Sequence, residues 1–308
     1  MKPRPSRRRL LQSAAALAAT RPGLAAASGT LPTVRLGKYE ITRLIIGSNP
    51  FNGYSYGIPS LSLHMREWFT PERVCEVLRS AQRNGINTHQ FSYSPRALAD
   101  FKRYQDGGGT LQWLLLGGGE MKDNPALIPE IARLKPIGIV HHGGVTDQRF
   151  RAGEHEKVRD FLKRVRDTGV LAGMSTHNPA HIEYAEEHGW ETDFYMGCFH
   201  RLSRTAEETR KMLGELPLGE VFLEGDPARM CRVIRQTPKT CLGFKILGAG
   251  RAAESRGGLE KAFRFAFENI KPRDAVIVGM YPRFEDEVRE NAALAARFGG
   301  TPPPSPTE

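Results

Sequence analysis

The sequence predicts an α/β protein made of a single (β/α)8 TIM barrel. Two observations carry this prediction. Eight short apolar runs recur along the chain with helical segments between them, the pattern of a parallel sheet built from βα units. About 280 residues remain once an N-terminal export-type segment is set aside, close to the roughly 250 that such a barrel uses. The domain is expected over residues 29–298.

In chain order the expected strands are Leu44–Ser48, Ile86–Gln90, Leu111–Leu116, Ile137–His141, Leu171–Ser175, Asp193–Cys198, Cys241–Leu247 and Ala275–Met280. Val221–Glu224 is a candidate ninth. The helices between them carry their own signals. Thr70 is placed to cap a helix with Pro71 at its first position, and Val74, Val77, Leu78 and Ala81 then mark one face. Thr205 and Glu208 have capping-box spacing, and Asp226-Pro227 opens a helix carrying Met230, Val233 and Ile234. The longest irregular stretch, Asn49 to Phe69, holds Tyr54, Tyr56, His64 and Trp68. It follows the first strand and is placed to cover the barrel mouth or to pack on the outer helices.

Residues 1–28 combine Arg7-Arg8-Arg9-Leu10-Leu11 with an Ala-rich apolar stretch. That pattern resembles a twin-arginine export signal, which implies the twin-arginine translocase as a transient partner and a periplasmic or other extracytoplasmic destination. Six basic residues lie in this segment, so the formal charge of +10 falls to about +4 without it. An excess that small gives no case for nucleic acid, and no remaining apolar run reaches the ~20 residues that span a membrane. Cys75, Cys198, Cys231 and Cys241 have neither metal-type nor scaffold-type spacing and are expected as thiols. The tail, residues 299–308, is Pro-rich and expected to be disordered.

In a barrel of this kind chemistry gathers at the C-terminal strand ends. The run Gly138-Ile139-Val140-His141-His142-Gly143-Gly144 ends in two imidazoles and two glycines, so His141 and His142 are the first catalytic candidates. Strand alternation aims only one of them at the axis unless the glycines bend the chain. His89, Glu120, His141, His177 and His200 sit at strand ends where several could share a divalent metal, with zinc suiting an imidazole-rich set. Lys245 is a charge within an apolar strand, a base or imine-forming nucleophile if desolvated and an ion-pair partner otherwise. Asp147 is a supporting or general-base candidate by location alone.

Leu36 to Phe51, Gly85-Ile86-Asn87, Gly173 to Asn178, Lys245 to Arg251 and Val276 to Met280 together resemble the aldo-keto reductase superfamily. The resemblance implies an NADP-dependent barrel that protonates a carbonyl with an Asp, Tyr, Lys and His. Here the Asp position falls on Gln90, the Tyr near Pro95, the Lys near Gly117, and only His141 matches. Tyr93 is a substitute for the tyrosine by a two-residue shift. For the NAD(P) cofactor the resemblance implies Ser175, with Asn178 beside it, at the nicotinamide and Arg283 and Asn291 at the adenosine phosphate.

Three functions follow as alternatives. One is an exported enzyme using metal- or lysine-assisted acid/base chemistry on a small carbonyl or sugar-type substrate, as a lyase, isomerase or hydrolase. The others are an NAD(P)-dependent oxidoreductase and a non-catalytic periplasmic binding protein for a small molecule.

Overall fold

A computed structural model describes residues 30–300. The export signal expected over residues 1–28 lies outside them, as does the tail beyond residue 300. Ten strands are present, β1 (Thr33–Leu36), β2 (Tyr39–Thr42), β3 (Leu44–Gly47), β4 (Thr88–Ser92), β5 (Gln112–Gly117), β6 (Gly138–His141), β7 (Leu171–Thr176), β8 (Phe194–Cys198), β9 (Thr240–Phe244) and β10 (Ala275–Gly279). The last eight close a barrel in which every neighbouring pair is parallel. All eight expected strands are these eight, within two or three residues at the ends. Val221–Glu224 is not a strand.

Eleven α-helices accompany them among the described residues. They are α1 (Pro59–Trp68), α2 (Pro71–Arg83), α3 (Pro95–Asp106), α4 (Leu127–Ala132), α5 (Gly143–Arg151), α6 (His155–Arg166), α7 (Pro179–Glu187), α8 (Ala206–Leu213), α9 (Asp226–Gln236), α10 (Arg256–Asn269) and α11 (Glu287–Gly299). Thr70 caps α2, whose Val74, Val77, Leu78 and Ala81 are buried, and Thr205 and Glu208 form a reciprocal capping box on α8. Part of the stretch expected to be irregular after β3 is helix α1, which buries none of its residues. The last helix runs to Gly299, just into the expected tail.

The strand period of two divides the core. Ile45, Leu114, Val140, Phe194, Met196, Leu242, Ala275 and Ile277 fill the barrel interior together with Val34, Leu36 and Ile41 of the antiparallel β1–β2 pair. That hairpin, unforeseen from the sequence, packs its apolar side chains into the barrel's own core. Alternate strand residues such as His89, Phe91, Trp113, Leu115, Ile139 and Met174 pack outward under the helices. Burying each such aliphatic or aromatic side chain contributes about 1.5–3 kcal/mol.

Arg43 fastens the barrel to the last helix. Its buried guanidinium donates to the carbonyls of Asp274, Lys271 and Gly299 and lies over the Phe267 ring. Arg43→Met strands three carbonyl acceptors and is expected to cost about 3 kcal/mol. Urea unfolding checks this; a change below about 1 kcal/mol, the net worth of one ordinary hydrogen bond, assigns Arg43 no such role.

Candidate active site

Alternation decides which strand-end residues reach the mouth. Val140 faces the barrel interior, so His141 faces out and His142 faces in. Outward-facing His141 is buried edge-on against Phe161 of α6 and hydrogen-bonds Thr146 of α5 through Nδ1 at 2.7 Å. Its expected role at the mouth is therefore corrected. Gly143 and Gly144 do not bend both rings inward; they begin α5, and α5 takes the His141 ring as part of its packing. His89 is likewise outward, ringed by Phe51, Phe91 and Phe101 and bonded to the Ile46 carbonyl. Tyr93 packs on the same outer core.

Burial sets the charge of these rings. It lowers the pKa of His89 to about 4 and, with the adjacent His142, that of His141 to about 3. His142 is lowered to about 4 by burial, then by His177 and Lys245, so three potential cations share the mouth and this one is neutral at pH 7.

Pairing of His141 with Met174 puts inward-facing His142 beside inward-facing Ser175 of β7. The space around them is kept by glycine. A Cβ on Gly118 would meet His142 Cδ2 at 2.8 Å, and one on Gly143 would meet Ser175 Oγ at 2.9 Å and His177 Cε1 at 3.2 Å. His142 Nδ1, Ser175 Oγ and, on inward-facing Gln90 of β4, Nε2 are buried without a hydrogen-bond partner among the described residues. An orphaned buried polar atom costs about 1–3 kcal/mol. Three such atoms lie together on inward-facing Gln90 of β4, on His142 just past β6 and on Ser175 of β7.

Asp147 of α5 is the organising group. It is 4% exposed and accepts hydrogen bonds from Thr176 Oγ1, the His177 backbone N–H, His177 Nδ1 at 2.7 Å and His181 Nδ1 at 3.1 Å. Burial alone would raise its pKa, but the bonds from His177 and His181 outweigh that and hold it well below the ordinary carboxylate range. Asn178, the N-cap of α7, donates its Nδ2 to His181 Nε2, which fixes His181 as the Nδ1–H tautomer. His177 then offers Asp147 its own Nδ1–H. Its Nε2 makes no hydrogen bond among the described residues, and the ring sits edge-on to inward-facing Phe244. A carboxylate, an oriented imidazole and a free Nε2 are the parts of a general base. His181 was not a candidate from sequence; its spacing of four from His177 was the available signal.

Lys245 lies one residue beyond β9 rather than inside a strand. It adopts a left-handed backbone with φ of 58°, and its Nζ sits 3.9 Å from the centre of the Tyr56 ring. Tyr56 is itself left-handed at φ of 54°. Strained non-glycine residues cost of order 1–2 kcal/mol and gather at functional sites. No carboxylate lies within ion-pair distance of Lys245 among the described residues, so the rim ion pair considered from the sequence is absent there.

The metal and nucleotide expectations meet a poorer fit. Among the described residues no three His, Cys, Asp or Glu side chains converge as ligands. His89 and His141 point away from the mouth, Glu120 is exposed on the turn after β5, and His200 packs against Phe222. Of the nucleotide candidates, Ser175 is at the mouth. Asn178 is spent on capping and on His181, Asn291 is buried in α11, and Arg283 stands exposed beside Phe284. These residues do not form a nucleotide cradle.

No protein-family model matches the chain, and no curated protein matches it significantly. Solved structures do. An N-acetylneuraminic acid (sialic acid) synthetase from Leptospira borgpetersenii aligns over 91% of this chain and 94% of its own, with TM-score 0.52 and 10% identity. A truncated 3-deoxy-D-arabino-heptulosonate 7-phosphate synthase from Thermotoga maritima aligns over 88% and 94%, with TM-score 0.51 and 14% identity. An aldo/keto reductase from Brucella melitensis aligns over 90% and 95%, with TM-score 0.45 and 12% identity. The first two likenesses, with the closed eight-stranded parallel barrel, show the TIM-barrel fold, and the chemistry must be argued from this chain's own residues.

Proposed function

We propose that the mouth is the active site of an enzyme that moves a proton on a small carbonyl compound of sugar type, as an isomerase or lyase. The observation that carries this is the Asp147-oriented His177 opening onto a mouth whose polar atoms lack partners. His177 Nε2 takes the proton from the carbon next to the carbonyl, and the electron pair passes to the carbonyl oxygen. The Lys245 ammonium, held over Tyr56, stabilises that developing oxyanion. Neutral His142 hydrogen-bonds the same oxygen or its neighbour, while Ser175 and Gln90 hold substrate hydroxyls. Transfer of the neighbouring hydroxyl's proton to the oxyanion, and return of the abstracted proton to the former carbonyl carbon, completes an isomerisation. In a lyase the base instead takes a hydroxyl proton as the carbon–carbon bond breaks, the bonding pair passes to the carbonyl oxygen, and the same proton is returned to the carbon left behind.

Incubation with hydroxy-aldehydes, hydroxy-ketones and 2-oxo acids in D2O tests the proposal by proton NMR. Deuterium is expected at the carbon beside the carbonyl in at least one compound. Exchange no faster than with His177→Asn protein overturns it, and binding without exchange favours a non-catalytic binding protein. Export by the twin-arginine route, proposed from residues 1–28, is tested by fractionating cells that make the full chain. Unprocessed protein confined to the cytoplasm overturns that part.

A further inference from the structure

Beside His177, between the ends of β7 and β8 and helix α9, lies a cavity of about 230 Å³. Its walls include His177, Cys198, Arg201, Arg204, Asp226 and Arg229. Three guanidiniums surround a single lining carboxylate, and that carboxylate is already taken. Asp226 accepts from Arg204 through both oxygens, from Arg229 Nη1 at 3.0 Å and from the Arg201 backbone N–H at 3.1 Å. Arg201 has its one carboxylate partner, Glu208, through Nη2 at 2.6 Å. Its Nε is buried with no acceptor among the described residues. Guanidinium nitrogens only donate, and three of these groups line a cavity with a single carboxylate, so what the cavity lacks is an acceptor. With Glu208 counted beside Asp226, three guanidiniums still outnumber two carboxylates, and that surplus makes the acceptor an anion.

We infer that this cavity is an oxyanion subsite that receives a carboxylate or phosphate group of the substrate, with Arg201 and Arg229 as its donors and Arg204 held on Asp226. This inference rests on the proposed active site for its catalytic meaning and defines the substrate class more narrowly. The substrate is an anionic carbonyl compound whose charged end lies among the arginines and whose carbonyl end reaches His177 and Lys245. Cys198, Met212 and Met230 supply the apolar contact for the carbon skeleton. The subsite opens beside the base, so the anion also holds the reacting carbon in register with Nε2.

Calorimetric titration of the full chain with inorganic phosphate and with malonate, in low-salt buffer, tests the subsite without reference to turnover. Saturable binding of at least one probe is expected, weakened about tenfold or more in Arg201→Gln by loss of a charge-assisted hydrogen bond. Arg229→Gln, altering a side chain 58% exposed and remote from the core, is expected to weaken binding without disturbing the fold. Absence of saturable binding to the parent protein, or equal binding by parent and both variants, overturns the inference. His177→Asn protein separates the two readings. Retained probe binding with lost deuterium exchange supports both. Binding that depends on Arg201, with exchange indifferent to His177→Asn, leaves the subsite standing and removes the proposed base. Exchange that needs His177, with no probe binding, does the reverse.

Discussion

His177→Asn is expected to lower the deuterium-exchange rate by about 10²- to 10⁴-fold, the usual worth of a positioned general base. Asparagine can still donate to Asp147 from nearly the same place, and the His177 side chain is 15% exposed, so the fold should persist. Asp147→Asn is expected to be nearly as damaging by another route. Its amide nitrogen would face a ring N–H of His177 or His181, donor against donor, and both rings would turn. The variant should also lose about 2–3 kcal/mol of stability, because Thr176 and the two histidines lose a charged acceptor. Substrate affinity should change little in His177→Asn, so the loss falls on kcat; a change confined to KM would make His177 a binding group instead.

A second large effect concerns acid. His89 and His141 are buried on the outer face of the barrel, and their native rings resist protonation until about pH 4 and about pH 3. Unfolded histidine accepts a proton near pH 6.5. With His142, also lowered to about 4, the unfolded chain binds about three more protons than the native one between these limits, so stability falls as pH falls, by about 4 kcal/mol per pH unit. This contribution is complete above pH 6.5. Asp147 acts in the same direction lower down: its pKa is depressed in the fold, so its stabilisation exists above the ordinary carboxylate range and is lost as pH drops through the native value. Urea midpoints at pH 7.5, 6.0 and 5.0 are expected to decline steeply. His141→Gln and His89→Gln should each remove about 1.4 kcal/mol per pH unit from that slope. A slope unchanged by either substitution would sink the account.

These two effects divide the histidines in a way that strand-end position alone does not. His89 and His141 stabilise a barrel that must stay near neutral pH, whereas His142 and His177 face the mouth. All four follow short apolar runs and look alike in one dimension.

Much was legible without coordinates, because local physics sufficed. Eight β-rich apolar runs, Thr70 before Pro71, and the Thr205–Glu208 box each act within a few residues, and each expected feature is where it was placed. The chain's length and alternation determined a barrel, and the barrel brings the C-terminal strand ends to one mouth. Tertiary structure alone decided which strand-end side chain faces that end. Closure of the sheet around the β1–β2 hairpin selects one face of each strand for the interior, and a shift of one residue exchanges His141 for His142. It also decided that Asp147 and His177, 30 residues apart, meet at 2.7 Å. That contact depends on how α5 lies against β7, which no periodicity within either segment encodes.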